Sequence, residues 1–506
     1  MRLAVDTGGT FTDLVVEVDD GTLAVHKRPT TPDDPIVGIL DVLSAAADEA
    51  GRDLATFLRD ADVLIHGTTH ALNALLTRST ARTAFLTTQG HPDVLLLREG
   101  GRAHFNVRAP FPEPYVPRSL TFEVPERISA SGAVVRPLER TAVEKLSDEL
   151  VRCEAEAVAV CLLWSVVDPR HELAIEEVLS ERLPDVPVTL SHRLAPSLRE
   201  YRRGSAAAID ASLRPLMGRY LSNLERRLRG AGFVGRLLMV SSSGTLLDVA
   251  EAAAAPIHVL KSGPAMQPIA GLHVAEQEIG LRTAIVADTG GTSYDVSLVR
   301  DGAIPWTRET WIGDRFLGHM VGFPSVDVRS YGAGGGSIAR VDTGGLLHVG
   351  PESAGADPGP AAYGRGGKRP TFTDAAVVLG WIHPDDFLGG RIRLDPEAAR
   401  AALARDVGEP LGLDAVGAAA AVVEVITEQM TRAVEETTLR QGVDPREAVM
   451  VGGGGAAGLN LVGIARRLGC LLALIPETSA ALSAAGALAS DLGKDFVATY
   501  PVRYRR

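Results

Sequence analysis

The sequence carries two copies of one pattern: an apolar run, then Asp-Thr-Gly-Gly-Thr, then a second aspartate. The first copy runs from Asp6 to Asp13 and the second from Asp288 to Asp295. In each copy two β-rich runs flank a Gly-Gly turn, which predicts a β-hairpin with the glycines at its tip. One such hairpin could be a tight turn and nothing more. Two copies predict a duplicated fold with the same site in both halves.

Adjacent glycines at a hairpin tip let an anion approach the backbone amides, because no Cβ stands in the way. Hydroxyl donors flank the glycines, and phosphate is the anion that fits best. The nearby carboxylates would repel a bare phosphate, which predicts Mg²⁺ between them. The candidate phosphate-binding residues are Thr7, Gly8, Gly9, Thr10, Thr12, Thr289, Gly290, Gly291, Thr292 and Ser293. The candidate catalytic carboxylates are Asp6, Asp13, Asp288 and Asp295, with Asp6 and Asp288 as expected metal ligands.

A third glycine-rich element lies in AVMVGGGGAAGLNLVGIARRLG, which predicts a strand, a turn and a helix. Bare backbone beside a helix N-terminus can border a flat ring or a phosphate. After two phosphate hairpins, this loop is the expected adenosine side of a nucleotide site, formed by Gly452, Gly453, Gly454 and Gly455. No glycine element of the chain resembles GxxxxGK[ST], which excludes a P-loop, and the Asp-Thr-Gly-Gly-Thr unit lacks the GxGxxG of dinucleotide folds.

The rest of the chain alternates helix-like and strand-like segments, which predicts an α/β fold with a parallel or mixed sheet. We expect helical periodicity from Ile36 to about Leu58, α/β alternation from Leu138 to Ser191, and a long helix from Ser205 to Leu228. The stretch from Tyr331 to Asp374 is too rich in Gly and Pro for much regular helix. It could be a low-complexity linker, but its mixed composition favours ordered functional loops.

Composition limits the class of protein. The net charge is −12, and the basic clusters resemble solvated helix faces, which argues against a nucleic-acid partner. No apolar run reaches the roughly 18 to 20 residues of a membrane helix, and the first residues leave no room for a secretory signal. The cysteines Cys153, Cys161 and Cys470 have no CxxC spacing. We therefore expect a cytoplasmic protein without a membrane partner and with reduced cysteines.

The ordered trio of glycine elements resembles the superfamily of actin, Hsp70 and sugar kinases, whose two duplicated domains close over ATP. Within it, VDTGGTFTDLVV, HGTTHALNALL, KSGPA, DTGGTSYDVSLV, GAGGGSIARVDTGGLLHVGPESAGADPGPAAYGRGG and FLGGRIRL resemble the A-type subunit of the hydantoinase/oxoprolinase family. The resemblance runs from about residue 2 to residue 497. It implies two α/β domains with a nucleotide cleft between them, at residues 1–200 and 201–490, and a short tail at 491–506 where most of the family's C-terminal domain is missing.

The resemblance implies ATP-dependent hydrolysis, in which phosphorylation activates the carbonyl of a cyclic amide such as a hydantoin or 5-oxoproline. The implied cofactors are ATP and Mg²⁺, and the implied partner is a B-type subunit. The loop glycines Gly334, Gly335 and Gly336 are also expected to border the nucleotide. Two alternatives stay open: a subunit of an ATP-dependent ketone carboxylase, and a chaperone-like or reactivating ATPase.

Three motifs depart from the family pattern. Met266 and Gln267 follow SGPA where a Gly-Gly pair is usual, in a segment expected to be a loop near the phosphates. Ala362 stands where a cysteine is common, and Asn460 ends a motif that commonly carries histidine. These changes bear on the substrate more than on the ATP hairpins.

His66 and His70 are separated by Gly-Thr-Thr. Their spacing would suit a metal pair on a continuous helix, but the intervening residues predict a turn between a strand and a helix. A structural or substrate-contacting role is therefore favoured over a metal site.

Overall fold

The computed structural model describes residues 1–9, 11–31, 33–99, 111–313, 317–387, 389–390, 392–494 and 496–500. The strands are β1 (Arg2–Thr7), β2 (Phe11–Glu17), β3 (Leu23–Pro29), β4 (Val63–Thr68), β5 (Thr83–Thr88), β6 (Thr121–Val124), β7 (Arg127–Ile128), β8 (Val134–Arg136), β9 (Ala157–Cys161), β10 (Val188–Leu190), β11 (Arg236–Val240), β12 (Leu246–Asp248), β13 (Ala284–Thr289), β14 (Tyr294–Val299), β15 (Trp306–Thr307), β16 (Trp311–Ile312), β17 (His319–Met320), β18 (Ser325–Val326), β19 (Arg329–Tyr331), β20 (Ser337–Val341), β21 (Leu347–Ser353), β22 (Val449–Gly453) and β23 (Leu472–Leu474).

The helices alternate with these strands along much of the chain, which confirms the predicted α/β class. They are α1 (Pro35–Glu49), α2 (Leu54–Arg59), α3 (His70–Leu76), α4 (Val94–Leu97), α5 (Arg140–Arg152), α6 (Arg170–Arg182), α7 (Ser191–Leu194), α8 (Glu200–Gly230), α9 (Val249–Ala254), α10 (Ser262–Ile279), α11 (Phe372–Val378), α12 (Pro396–Leu403), α13 (Glu409–Leu411), α14 (Ala415–Gln441), α15 (Leu461–Leu468) and α16 (Leu482–Leu488).

The chain divides into two compact units that interleave along the sequence. Unit 1 comprises Met1–Gly51, Gly263–Pro305 and Val326–Ser490, and unit 2 comprises Arg52–Ser262, Trp306–Ser325 and Asp491–Arg506. Both Asp-Thr-Gly-Gly-Thr hairpins therefore belong to unit 1, although they come from opposite halves of the sequence. The sequence domains 1–200, 201–490 and 491–506 stay a prediction.

In unit 1, β1, β2 and β3 form an antiparallel meander against which α1 packs. The second sheet has the strand order β19-β14-β13-β22-β23, with β13, β22 and β23 parallel and β14 antiparallel to β13. Helix α14 covers this sheet and buries Val422, Ile426 and Met430 in the same core as Ile285 and Val296. This core fixes the position of the hairpin formed by β13 and β14.

In unit 2, the strands β10, β9, β5 and β6 form a parallel sheet. Alternate strand residues face opposite sides, as the twofold period of a strand requires. Val158 and Val160 pack with α5 and α6, whereas Ala159 packs with α8. The helices on both faces explain why these strands are apolar throughout.

The predicted boundaries differ from the observed ones at two places. The periodicity from Ile36 to Leu58 is divided between α1 and α2, because Gly51 has a φ of +68° between them. The segment around Met266 and Gln267 was expected to be a loop but lies within α10. Helix α10 packs tightly against β13, where a Cβ on Gly271 would lie 2.1 Å from Val286 Cγ2.

Among the described residues no single helix is both long and apolar enough to cross a membrane. One helix pair, Pro396–Leu411 with Ala415–Gln441, meets the length and composition test together but is bent by 83°.

Candidate functional site

The two repeated hairpins have the same strand register. Asp6 lies opposite Asp13 across β1 and β2, and Asp288 lies opposite Asp295 across β13 and β14. Each hairpin therefore presents a pair of carboxylates just before its glycine tip. The register confirms that the sequence repeat is a structural repeat.

The glycine tips are equivalent as well. The first glycine of each tip, Gly8 or Gly290, closes the turn by donating its amide to a backbone oxygen three residues later at 3.0 Å. The second glycine, Gly9 or Gly291, is more open, and a Cβ there would meet nothing within 4 Å. A ligand can therefore reach the backbone at the second glycine of each hairpin.

The hydroxyl residues of the two hairpins differ in exposure. Thr7, Thr12 and Thr289 are buried, and Thr12 Oγ1 lies 3.1 Å from Thr30 Oγ1. Thr292 is exposed and Ser293 is half-buried. Thr10 lies outside the described residues.

Lys27 also belongs to this site, although the sequence motifs did not identify it. It lies opposite Asp13 in the register of β2 and β3, and its Nζ is 2.7 Å from Asp13 Oδ1. The Nζ also donates to the backbone oxygen of Ala480 at 3.1 Å. Counting back from the turn at residues 19–21 would have placed this lysine beside the carboxylate.

Electrostatics shows that the carboxylates of the two hairpins influence one another. Burial, followed by the charge of Asp13, raises the pKa of Asp6 to about 7 against the opposing effect of Lys27. Burial, followed by the charge of Asp295, raises the pKa of Asp288 to about 8, with smaller contributions from Asp13 and Asp6. The charges of the first hairpin therefore act on Asp288, which indicates that the two carboxylate pairs lie near one another within unit 1.

Gln267 is a second residue that direct motif reading did not assign to the site. Its Nε2 lies 3.3 Å from Asp288 Oδ2, and the residue is only 4% exposed. Its Oε1 is buried without a hydrogen-bond partner among the described residues. The unusual residue after SGPA thus contacts the second carboxylate pair directly.

The loop that contains Gly334, Gly335 and Gly336 supports the second hairpin. Gly335 N donates to Gly290 O at 3.0 Å, and Gly336 N donates to Gly291 O at 2.7 Å. A Cβ on Gly334 would lie 2.7 Å from Gly290 O. These buried glycines hold the hairpin backbone through close contact, and the Tyr331–Asp374 segment is ordered around them.

The four-glycine loop approaches Asp288 from the neighbouring strand. Gly453 pairs with Asp288 in the register of β22 and β13, and Cβ atoms on Gly452 or Gly453 would collide with leucine side chains. Gly454 has a φ of +83°, and a Cβ there would lie 2.4 Å from Asp288 Oδ1. Gly455 is exposed with open space beside it.

The carboxylates of the two hairpins suit a hydrated cation bound together with a phosphate. Asp6 Oδ1 is buried without a hydrogen-bond partner among the described residues. Across the described ranges, no cluster of three or more His, Cys, Asp or Glu residues could hold a metal alone. This combination fits Mg²⁺, which usually keeps several waters and takes one or two carboxylates along with substrate phosphates.

The remaining candidates from the sequence lie elsewhere. His66 is buried in unit 2, where its Nε2 is 2.8 Å from Tyr220 OH, and the His70 ring lies 4.7 Å from the Tyr220 ring. Ala362 is buried in a small apolar cluster. Asn460 is buried, and its Nδ2 is 2.9 Å from Met430 Sδ.

Comparison with known proteins assigns this geometry to a family. A model described as the hydantoinase/oxoprolinase N-terminal region matches residues 2–183, and one described as hydantoinase/oxoprolinase matches residues 203–496. The chain is 36% identical to caprolactamase subunit alpha of Pseudomonas jessenii, covering 99% of this chain and 72% of that one. It is 35% identical to the acetophenone carboxylase gamma subunit of Aromatoleum aromaticum, covering 91% of this chain and 64% of that one.

A solved structure has the same fold. The crystal structure of ATP-dependent caprolactamase from Pseudomonas jessenii superposes with a TM-score of 0.87 at 36% identity. The superposition covers 97% of this chain and 71% of that chain.

Proposed function

The chain belongs to the hydantoinase/oxoprolinase family, and from that premise we propose that it is the ATP-dependent subunit of an enzyme that activates the carbonyl of a cyclic amide. The observation that carries the proposal is the pair of hairpins in equal register, each with two carboxylates, and with Lys27 paired to Asp13 in the first. Relatives of the same family include an ATP-dependent caprolactamase.

The hairpin tips bind the phosphates of ATP. Gly9 and Gly291 offer open backbone, and Thr292 and Ser293 offer hydroxyl donors. The buried hydroxyl of Thr12 contacts Thr30 Oγ1, which donates to Gly8 O and so supports the first tip. The adenosine lies near Gly455, where the four-glycine loop is open.

Asp6 and Asp288 would hold Mg²⁺, and their raised pKa values mark a place where a cation would relieve repulsion among buried carboxylates. The ion would neutralise phosphate charge. Burial raises the pKa of Asp13, and its ion pair with Lys27 opposes that effect; Asp295 completes the second pair. The lysine adds positive charge close to the phosphates, where such charge stabilises phosphoryl transfer.

An amide carbonyl is a poor electrophile because of its resonance. ATP supplies a phosphoryl group that converts the carbonyl oxygen into a leaving group. The residues of this chain contribute positioning and charge neutralisation, which are the main protein contributions to such a transfer. A B-type subunit is the proposed partner, and relatives are themselves described as subunits.

A ketone carboxylase subunit is the second candidate. It is favoured by the 35% identity to the acetophenone carboxylase gamma subunit. In that case the ketone enolate oxygen receives the phosphoryl group, and bicarbonate is required as a second substrate. A cytoplasmic location is proposed for either activity, since both use ATP and the cysteines Cys153, Cys161 and Cys470 are free thiols.

The test is phosphate release from ATP by the chain purified with its B-type subunit. We expect turnover to depend on a hydantoin, 5-oxoproline or another lactam, without bicarbonate; dependence on a ketone and bicarbonate would select the carboxylase. Asp288→Asn should lower turnover by about two orders of magnitude, whereas Asp185→Asn, at an exposed position, should not. Absence of ATP binding, or wild-type turnover in both Asp6→Asn and Asp288→Asn, would overturn the proposal.

A further inference from the structure

Unit 2 contains a cavity of about 740 Å³ that includes no residue of the hairpins. Its walls include residues 193–199, alternate residues from Ser241 to Leu247, residues 322–324, and Gly493, Lys494, Phe496 and Val497; all of its lining residues belong to unit 2. The volume lies in the range of small-molecule sites, roughly 300 to 1,000 Å³. We call it the Arg308 cavity, after the cation discussed below.

The lining of the Arg308 cavity combines apolar and cationic side chains. Leu247, Phe323 and Val497 are among its apolar residues. Its cationic residues are Arg193, Arg199, Arg202, Arg308 and Lys494. An apolar wall with a few charged groups is typical of a site for an amphipathic small molecule.

Most of these cations already have carboxylate partners. Arg202 Nε lies 2.8 Å from Glu99 Oε1, and Lys494 pairs with Glu251. Arg308 has no carboxylate within ion-pair distance among the described residues. Its guanidinium lies over the ring of Trp306, with 5.5 Å from Cζ to the ring centroid. The fork of N–H donors in Arg308 is therefore open to an anion, and a carboxylate matches its geometry.

A hydroxyl cluster adds neutral donors to the same cavity. Ser241 Oγ lies 2.9 Å from both Ser243 Oγ and Thr245 Oγ1. All three residues line the cavity. Hydroxyl groups can rotate to donate to a ligand oxygen.

The backbone of the cavity wall is strained at Arg199, which has φ +76° and ψ 110°. A non-glycine residue rarely adopts this conformation, and such strain concentrates at ligand sites. The Arg199 side chain is held by Glu99 at 3.1 Å. The strain is an independent sign that this wall has a function.

We propose that the Arg308 cavity binds a medium-chain aliphatic carboxylate. The carboxylate pairs with Arg308, and the hydrocarbon chain lies against Leu247 and Phe323. The proposal does not depend on the activity proposed above, because no hairpin residue takes part.

The test is calorimetric titration of the full chain with octanoate. Octanamide serves as a neutral analogue, and acetate and inorganic phosphate serve as anions without an apolar body. We expect saturable octanoate binding that is at least tenfold tighter than binding of the other three. Arg308→Gln should weaken octanoate binding at least tenfold, because it removes the charge that the carboxylate meets. Arg369→Gln, an exposed ion-paired position in unit 1, should leave it unchanged.

Phe323→Ala provides a second variant that keeps the charge and shortens the apolar wall. It should weaken octanoate binding and leave the weak acetate binding unchanged. Absence of saturable octanoate binding to the wild type would overturn the proposal. Equal affinity for octanamide would overturn the assignment of a carboxylate ligand. Equal affinity for acetate or phosphate would overturn the assignment of an apolar body. Wild-type octanoate affinity in a folded Arg308→Gln variant would overturn the placement at Arg308.

Discussion

Gln267 donates a hydrogen bond from Nε2 to Asp288 Oδ2 at 3.3 Å. The contact links helix α10 to the second hairpin, at a position where the sequence resemblance implies a glycine. A glycine there would leave this carboxylate oxygen without the amide donor. The bond therefore connects the departure in the sequence directly to a carboxylate of the proposed metal site.

Gln267→Met removes this donor and keeps a similar side-chain volume. We expect ATP turnover to fall about tenfold, since a hydrogen bond to a charged group is worth roughly 1.5 to 3 kcal/mol. The melting temperature should change little. Gln277→Met, at an exposed position of the same helix, is the matched control and should match the wild type in both measurements. Equal turnover in the two variants would remove Gln267 from the site.

Lys27→Met removes the cation beside Asp13. We expect ATP turnover to fall by about two orders of magnitude, because the buried carboxylate loses its partner and the phosphates lose a positive charge. Lys27→Arg should restore part of the turnover. Lys145→Met, at an exposed position of α5, provides the control. Turnover measured at saturating ATP separates this loss from weaker nucleotide binding; wild-type turnover in Lys27→Met would refute the role.

Gly454→Ala tests the close approach of the four-glycine loop to Asp288. Its φ of +83° and a Cβ position 2.4 Å from Asp288 Oδ1 make alanine incompatible with the native backbone. We expect a lower melting temperature, from a cost on the order of 2 kcal/mol, and lost ATP binding. The neighbouring variant Gly455→Ala should be tolerated, since open space surrounds that position. Equal behaviour of the two variants would contradict this reading of the loop.

Asp210 is a buried carboxyl group in unit 2 that should make the free energy of unfolding depend on pH. It is buried in α8, and it accepts hydrogen bonds from Thr189 Oγ1 at 2.8 Å and from Ile257 N at 3.1 Å. Burial raises the pKa of Asp210 from 3.8 to about 6 against these hydrogen bonds. The folded state thus favours the protonated form. Its contribution to stability is full below pH 3.8 and is lost as the pH rises through 6.

Asp210→Asn should therefore gain stability relative to the wild type as the pH rises from 4.5 to 7, by at most about 3 kcal/mol. Melting temperatures of both proteins across this range provide the measurement. Asp185→Asn, at an exposed position, should follow the wild type at every pH. A constant difference between Asp210→Asn and the wild type would show that Asp210 does not titrate in this range.

The local patterns predicted the hairpins well, because glycine turns and β-rich runs act over a few residues. The equal register of Asp6 with Asp13 and of Asp288 with Asp295 follows directly from the repeat. Lys27 was missed because its role depends on pairing with another strand, which a motif does not record. Gln267 was placed in a loop because the preceding Ser-Gly-Pro obscures the start of α10. The grouping of both hairpins in unit 1 depends on long-range packing that local periodicity does not encode.

The two hairpins differ in the side chains that contact their aspartates, and this difference bears on the orientation of a bound nucleotide. Two identical hairpins would bind a triphosphate with equal energy in either orientation. Lys27 lies opposite Asp13 in the first hairpin, whereas Ser330 lies opposite Asp295 in the second, and Gln267 contacts Asp288 of the second. A triphosphate has unlike ends, and Lys27 and Gln267 make the two orientations unequal in energy. In the proposed site, this difference would present the terminal phosphate of the nucleotide to its acceptor from a single side.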